Sequence, residues 1–273
     1  MFRRLVLTAI IFFSISGCAF AARFERIISL APNVTEILYA MGLEDKIVAV
    51  TDFCDWPARV KEKPRIGGII NPSIEAILSM KPDIVIMTDE GNPQELRTRL
   101  EAVGINTYVV GAKRLGDLPG EIRALGRKLS VAGQADALAG DMEKEVEGLR
   151  KRDHKVAGEK ALFIVWPEPL IVAGADTPID DALKVLGLEN VAGASTTGYP
   201  KYSVEEVILS SPSVIFIGKG HAGIEEFSKR LLAKLSGVPA VRNRKVYYIS
   251  DSILRPGPRI VDGIKEMKGY LDE

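Results

Sequence analysis

The sequence predicts an α/β protein of two Rossmann-like lobes with mostly parallel sheets, joined by a long rigid backbone helix. Three observations carry that prediction. A unit of 14 residues at 73–86 recurs at 203–216, an offset of 130, with Ser, Glu and Pro coincident and six apolar positions kept apolar. Around each copy, strand-like apolar runs alternate with helix-periodic segments, the pattern of parallel sheets covered on both faces. Between the copies, residues 117–152 read as helix throughout. A unit repeated once at this distance means two similar lobes, since a solenoid would show a shorter period.

Each copy of the unit reads the same way. Ser73 or Ser203 offers its oxygen to the orphan amides of a first helical turn, and Glu206 completes a capping box in the second copy. Two turns follow, Pro82 or Pro212 ends them, and a β-branched strand begins. Glu75 and Glu205 hold the same place in both lobes. A Glu in a first turn is favoured by the helix dipole alone. Its recurrence points further, to a pair of carboxylates suited to a two-fold symmetric partner carrying basic residues.

Taken in order, residues 27–30 form a buried strand, and a helix over 34–41 is capped by Asn33 with Glu36 at N3 and closed by Gly42. A strand at 47–50 leads into a long loop, 51–72, that carries Phe53 and Trp56. Loops of that length in a compact domain are functional or disordered, and two aromatics argue for function. After the first repeat come a helix over 93–102 and a strand at 107–110. One helix spans 118–129, Gly133 interrupts, and a second spans 134–152 with Ala135, Leu138, Met142, Val146 and Leu149 on one stripe. The lobe boundary falls in or just after that helix: lobe one at 22–133, connector at 134–153, lobe two at 154–273. Lobe two starts with extended runs at 161–166 and 170–173. Thr177 and Pro178 then form a cap and N1 pair for a helix ending at Gly187. Past the second repeat come a helix at 224–235, a strand at 246–249 and a final helix to about Leu271. A chain of 273 residues is long enough for each lobe to have a core of its own.

The N-terminus has another composition. Arg3 and Arg4 precede an apolar run at 5–15 and small residues through Ala22, so residues 1–21 read as a secretory signal. Ala19-Phe20-Ala21 would release a periplasmic protein, whereas Ile15-Ser16-Gly17-Cys18 resembles the lipobox that would leave a lipoprotein anchored at Cys18. If Cys18 is lost, Cys54 is the only cysteine and no internal disulfide forms. Cys54 itself reads as a small, half-buried loop residue. Net charge is zero and neither half carries a basic run, which argues against nucleic acid.

Motifs for chemistry are sparse. His154 and His221 have no second ligand at metal spacing, and no nucleophile elbow or Walker lysine is present. Gly218, Gly220 and Gly223 fit G-x-G-x-x-G, yet Val238 stands where a dinucleotide site needs an acid, so a tight turn is the better account. Aromatics give a stronger signal. Phe53, Trp56, Trp166 and Tyr199 fall in loops on the carboxyl side of expected strands, where open α/β sheets bind ligands. Two lobes facing each other would put them on the rims of a cleft. Local packing is the alternative for Trp56 and Trp166.

Five stretches together resemble the periplasmic substrate-binding proteins of ABC importers for cobalamin, siderophores and haem, and the cobalamin branch above all. They are Ile28-Ser29-Leu30-Ala31-Pro32-Asn33-Val34-Thr35-Glu36, Thr51-Asp52-Phe53-Cys54-Asp55-Trp56-Pro57, Asn71-Pro72-Ser73-Ile74-Glu75 with Lys81-Pro82-Asp83, Gly198-Tyr199-Pro200-Lys201-Tyr202-Ser203 with Glu205, and residues 251–259. The resemblance implies little hinge closure, a ligand held between the lobes, and Glu75 and Glu205 docked on arginines of the membrane permease, one per half of its dimer. It implies corrinoid contacts at Phe53, Tyr199, Asp251, Ser252, Ile253, Leu254 and Arg255, with cobalamin or a related corrinoid as cargo, no cofactor and no chemistry. Phe53 replaces a tyrosine of that pattern and Tyr199 a tryptophan, while Ile69 and Thr88 stand where it has further tryptophans. A haem or ferric-siderophore receptor is the nearest alternative, with Arg255, Arg65 and Lys201 as candidate cleft bases. An extracytoplasmic enzyme on a related two-lobed fold is the more distant one.

Overall fold

The structure, a computed structural model, describes residues 24–89, 91–151, 156–193, 198–220 and 223–272. The expected signal segment, Cys18, His154 and His221 lie outside them. No helix of the described residues is long and apolar enough to cross a membrane.

Lobe one is built on four parallel strands, β1 (Ile27–Ser29), β2 (Ile47–Val50), β3 (Ile84–Thr88) and β4 (Asn106–Val110), in the order β2-β1-β3-β4. β1 and β3 are buried along their whole length, as their runs of Ile and Val require of central parallel strands. Helices α1 (Pro32–Ala40), α2 (Ile74–Ser79) and α3 (Gln94–Ala102) connect them. The long loop contains a 3-10 turn, Ala58–Glu62. Helices α4 (Leu118–Lys128) and α5 (Ala132–Arg150) follow. Lobe two holds β5 (Lys160–Pro167), β6 (Leu170–Val172), helix α6 (Pro178–Val185), β7 (Glu189–Asn190), helix α7 (Val204–Ser210), β8 (Val214–Gly218), helices α8 (Ile224–Lys234) and α9 (Pro239–Arg242), β9 (Val246–Ile249) and α10 (Ile260–Asp272). Its sheet runs β6-β5-β8-β9 with β7 beside β5, and only β6 is antiparallel.

The repeated unit has the expected caps. Ser73 Oγ accepts from Ala76 N at 3.1 Å. Ser203 Oγ accepts from Glu206 N at 3.1 Å, and Ser203 N donates back to the Glu206 carboxylate at 2.6 Å. Lys81 and Ser211, each before a proline, take left-handed φ of 46° and 52°, which ends both helices alike.

Three expectations are corrected. Asn33 does not cap α1: Pro32 occupies the first position after Ala31, and the Asn33 amide instead donates to Pro256 O at 3.3 Å. Gly133 does not interrupt, because α5 already starts at Ala132. Nor are the cores separate. One apolar cluster runs from Ile27, Val34 and Ile84 of lobe one, through Leu125, Ala135 and Met142, to Phe163, Phe216, Ile264 and Met267 of lobe two. A smaller cluster lies on the other face of each sheet.

Within that shared core, α4 and α5 pack at van der Waals contact near their junction. A Cβ on Gly126 would stand 2.1 Å from Ala135 Cβ, whereas one on Gly140 would meet nothing within 4 Å. Gly126→Ala should therefore lower stability by about 1–3 kcal/mol, because a packed contact must be forced apart. Gly140→Ala should raise it by up to ~1 kcal/mol through helix propensity. Urea unfolding of the two variants checks this, and equal effects would refute the close contact.

Candidate functional site

Strand ends converge on one cavity. The segments after β1 (Ala31, Pro32, Asn33), β2 (Phe53) and β3 (Thr88, Gly91) line it from lobe one, joined by the loop segment Gly68, Ile69, Ile70, Asn71. The segments after β8 (Gly220) and β9 (Asp251, Leu254, Arg255, Pro256) line it from lobe two. It measures about 520 Å³, within the usual range for small-molecule sites. Every contributing strand is parallel to its neighbours and presents its carboxyl end, as open α/β sheets do around ligands.

Asn92 fixes the lobe-one wall. Its Oδ1 accepts from Thr88 N at 2.8 Å, and its Nδ2 donates to Ile69 O at 2.8 Å and Leu30 O at 3.2 Å, tying three segments into one surface. Arg65 does the same beneath Phe53, donating to the carbonyls of Thr51 and Cys54 at 2.7 Å each. Its guanidinium is thus committed to backbone. Cys54 is fully buried, against the expected half-burial, and burial pushes its thiol up despite bonds to Thr35 and Thr51.

Beside the cavity stands a cluster of five charges, of which Asp251 and Arg255 line its wall. Arg255 Nη1 donates to Asp55 at 2.5 Å and to Glu36 Oε1 at 3.3 Å, and its Nη2 lies 2.6 Å from Asp251. Arg259 donates to Glu36 at 3.1 Å, stands 3.5 Å from Asp251 and lies 4.4 Å over the Trp56 ring. Glu36 is only 3% exposed, and its Oε2 has no hydrogen-bond partner among the described residues. Burial pushes the Glu36 carboxyl up, against the pull of Arg259 and Arg255. At Asp55 burial also pushes up, but the Arg255 hydrogen bond and charge overcome it and hold the carboxyl below its ordinary value. Arg255 stays charged: its carboxylate partners outweigh the burial that would lower it.

The expected ligand residues divide. Phe53, 55% exposed, Asp251, Leu254 and Arg255 line the cavity. Ser252 and Ile253 do not. The stretch Asp251–Leu254 is a 3-10 turn, which turns both into the core, Ile253 against Gly263. Trp56 is half exposed beside the cavity and is engaged by Arg259. Trp166 is turned into lobe two, its ring 6.1 Å from Phe227 and its Nε1 donating to Glu168 O at 2.6 Å. Tyr199 is exposed on its loop and is not among the lining residues. Two glycines of the G-x-G-x-x-G stretch are explained by packing, since a Cβ on Gly218 or Gly220 would stand within 3 Å of Leu254, and the third, Gly223, takes a left-handed φ of 82°. Ile69 and Thr88 both line the cavity. Glu75 and Glu205 lie elsewhere, exposed in the first turns of α2 and α7, with no ion-pair partner among the described residues.

Sequence reasoning missed Glu36 as a charged anchor, Asp55, Arg259 and Asn92. An acid within the buried stretch 33–38 of α1 was the one available signal for Glu36.

Two α/β lobes facing each other across an apolar cavity define a two-lobed ligand-binding protein. The chain belongs to the periplasmic binding protein family, which matches residues 27–253. It is 30% identical over 269 residues to the vitamin B12-binding protein of Vibrio cholerae serotype O1, spanning 98% of this chain and 96% of that one. Among solved structures, the periplasmic vitamin B12-binding protein BtuF of Vibrio cholerae superposes with a TM-score of 0.79 at 29% identity, over 91% of this chain and 97% of that one. The apo periplasmic heme-binding protein RhuT of Roseiflexus sp. RS-1 superposes with a TM-score of 0.81 at 27% identity, over 90% and 97%.

Proposed function

We propose that this chain is an exported receptor that captures cobalamin or a related corrinoid between its lobes and delivers it to an ABC importer, without doing chemistry. The observation that carries the reading is the cavity itself: apolar walls from Phe53, Ile69, Ile70 and Leu254, with amides of Asn33 and Asn71 at its edge. Such a surface suits a large macrocycle fringed with amides. Glu75 and Glu205 are the docking carboxylates for the permease. Residues 1–21 are the export signal, with lipid attachment at Cys18 the other outcome. The lobes divide at 22–133 and 154–273, with 134–153 as the connector.

A haem receptor is the second reading, favoured by the likeness to RhuT. Against it, no His, Tyr, Met or Cys that could ligate haem iron is among the described lining residues. Titration of residues 22–273 with cyanocobalamin, followed by absorbance and tryptophan quenching, should give one-to-one saturation at micromolar or tighter. A Soret shift with haem and no response to cyanocobalamin would exchange the two readings.

A further inference from the structure

The described residues lining the cavity include no uncommitted cation. Arg255 is the sole Lys, Arg or His among the described lining residues, and both its terminal nitrogens are taken by Asp55, Glu36 and Asp251. Arg259, behind it, is shared between Glu36, Asp251 and the face of Trp56. Arg65 is spent on backbone carbonyls, and Lys201 is exposed and is not among the described lining residues. With Glu36 ionised, three carboxylates face two guanidinium groups and the cluster is net negative. With Glu36 protonated the cluster is neutral and still offers nothing to an anion. Asp251 is the carboxylate that reaches the cavity wall.

A ligand carboxylate entering here would lose water, find its natural partner occupied and meet Asp251 at close range, a like-charge contact in a low-dielectric site. A carboxamide in the same place carries no charge and can donate a hydrogen bond to Asp251. We infer that the cavity selects its ligand by charge, admitting macrocycles fringed with amides and rejecting the same ring fringed with free carboxylates. Asp251 is the residue that discriminates. Asp55 is a positioning residue, because its carboxylate occupies one end of the Arg255 guanidinium. The inference rests on the corrinoid reading above and names the property of the ligand on which that site turns.

The test uses a matched pair lacking the nucleotide loop: dicyanocobinamide, with side-chain amides, and dicyanocobyrinic acid, with carboxylates. Calorimetry on residues 22–273 at low salt should find the acid bound roughly a hundredfold more weakly, with the gap narrowing as sodium chloride screens the wall. Asp55→Asn should remove one negative charge beside Arg255 and shift the ratio about tenfold toward the acid. Equal affinities, a gap unmoved by salt, or a ratio unchanged in the variant would overturn the charge selection and leave the corrinoid reading standing if cyanocobalamin still binds. Cobinamide failing where cyanocobalamin binds would also overturn it. Failure of all three corrinoids would sink the reading and the inference together.

Discussion

Arg255→Ala should lower the stability of the chain by about 3–5 kcal/mol, because it leaves three carboxylates around a single remaining guanidinium. Arg255 is mostly buried, and it joins Glu36 and Asp55 of lobe one to Asp251 of its own lobe. Removing it strips Asp55 of its ion pair and leaves Glu36, already disfavoured as an anion by burial, dependent on Arg259. The resemblance made Arg255 a ligand contact. Its geometry makes it first a bridge between lobes. Urea unfolding at pH 7 reads the effect, and a loss under about 1 kcal/mol would mean that the cluster behaves as an ordinary solvated surface network.

Glu75→Ala combined with Glu205→Ala should abolish uptake while changing ligand affinity less than about twofold, since each charge pair at a partner surface is worth ~1.5–7 kcal/mol and neither residue lines the cavity. Both carboxylates are exposed in first helical turns, and each has an exposed aliphatic residue three positions on, Leu78 and Ile208. On the proposed docking role, that pairing of charge with apolar surface at equivalent places in the two lobes would supply two matching contact patches. Uptake of radiolabelled cyanocobalamin by cells that depend on this chain is the readout for transport, and calorimetry the readout for binding. Normal uptake would refute the docking role, and weakened binding would show that the residues act on the cleft.

What could be read from the sequence was what the chain encodes locally. Ser73, Ser203, Glu206 and Pro212 form caps and stops with neighbours three to nine positions away, so the repeated unit and its two exposed glutamates were visible at once. Phe53 was legible as a loop aromatic after a strand. The charge cluster was not. Arg255 and Arg259 lie 219 and 223 residues from Glu36, and only the fold brings them together. Ser252 and Ile253 were misplaced because a 3-10 turn, with three residues per turn, sends neighbouring side chains in different directions. Trp166 failed for another reason: Phe227, 61 positions on, gave it a packing partner that no local pattern announces.

The core common to both lobes bears on traffic at the membrane. One apolar cluster threads the whole molecule, and ion pairs bridge the lobes both beside the cavity and where Arg114 meets Asp181 at 2.6 Å. Lobes tied together in this way would keep the spacing of Glu75 and Glu205 nearly the same whether the cavity is empty or full. On the docking role proposed for that pair, an importer would meet vacant and loaded receptors as equals, and the vacant ones would occupy its docking face without delivering anything. Import rate would follow the loaded fraction of the receptor pool rather than its size, so making more receptor under scarcity would slow the supply.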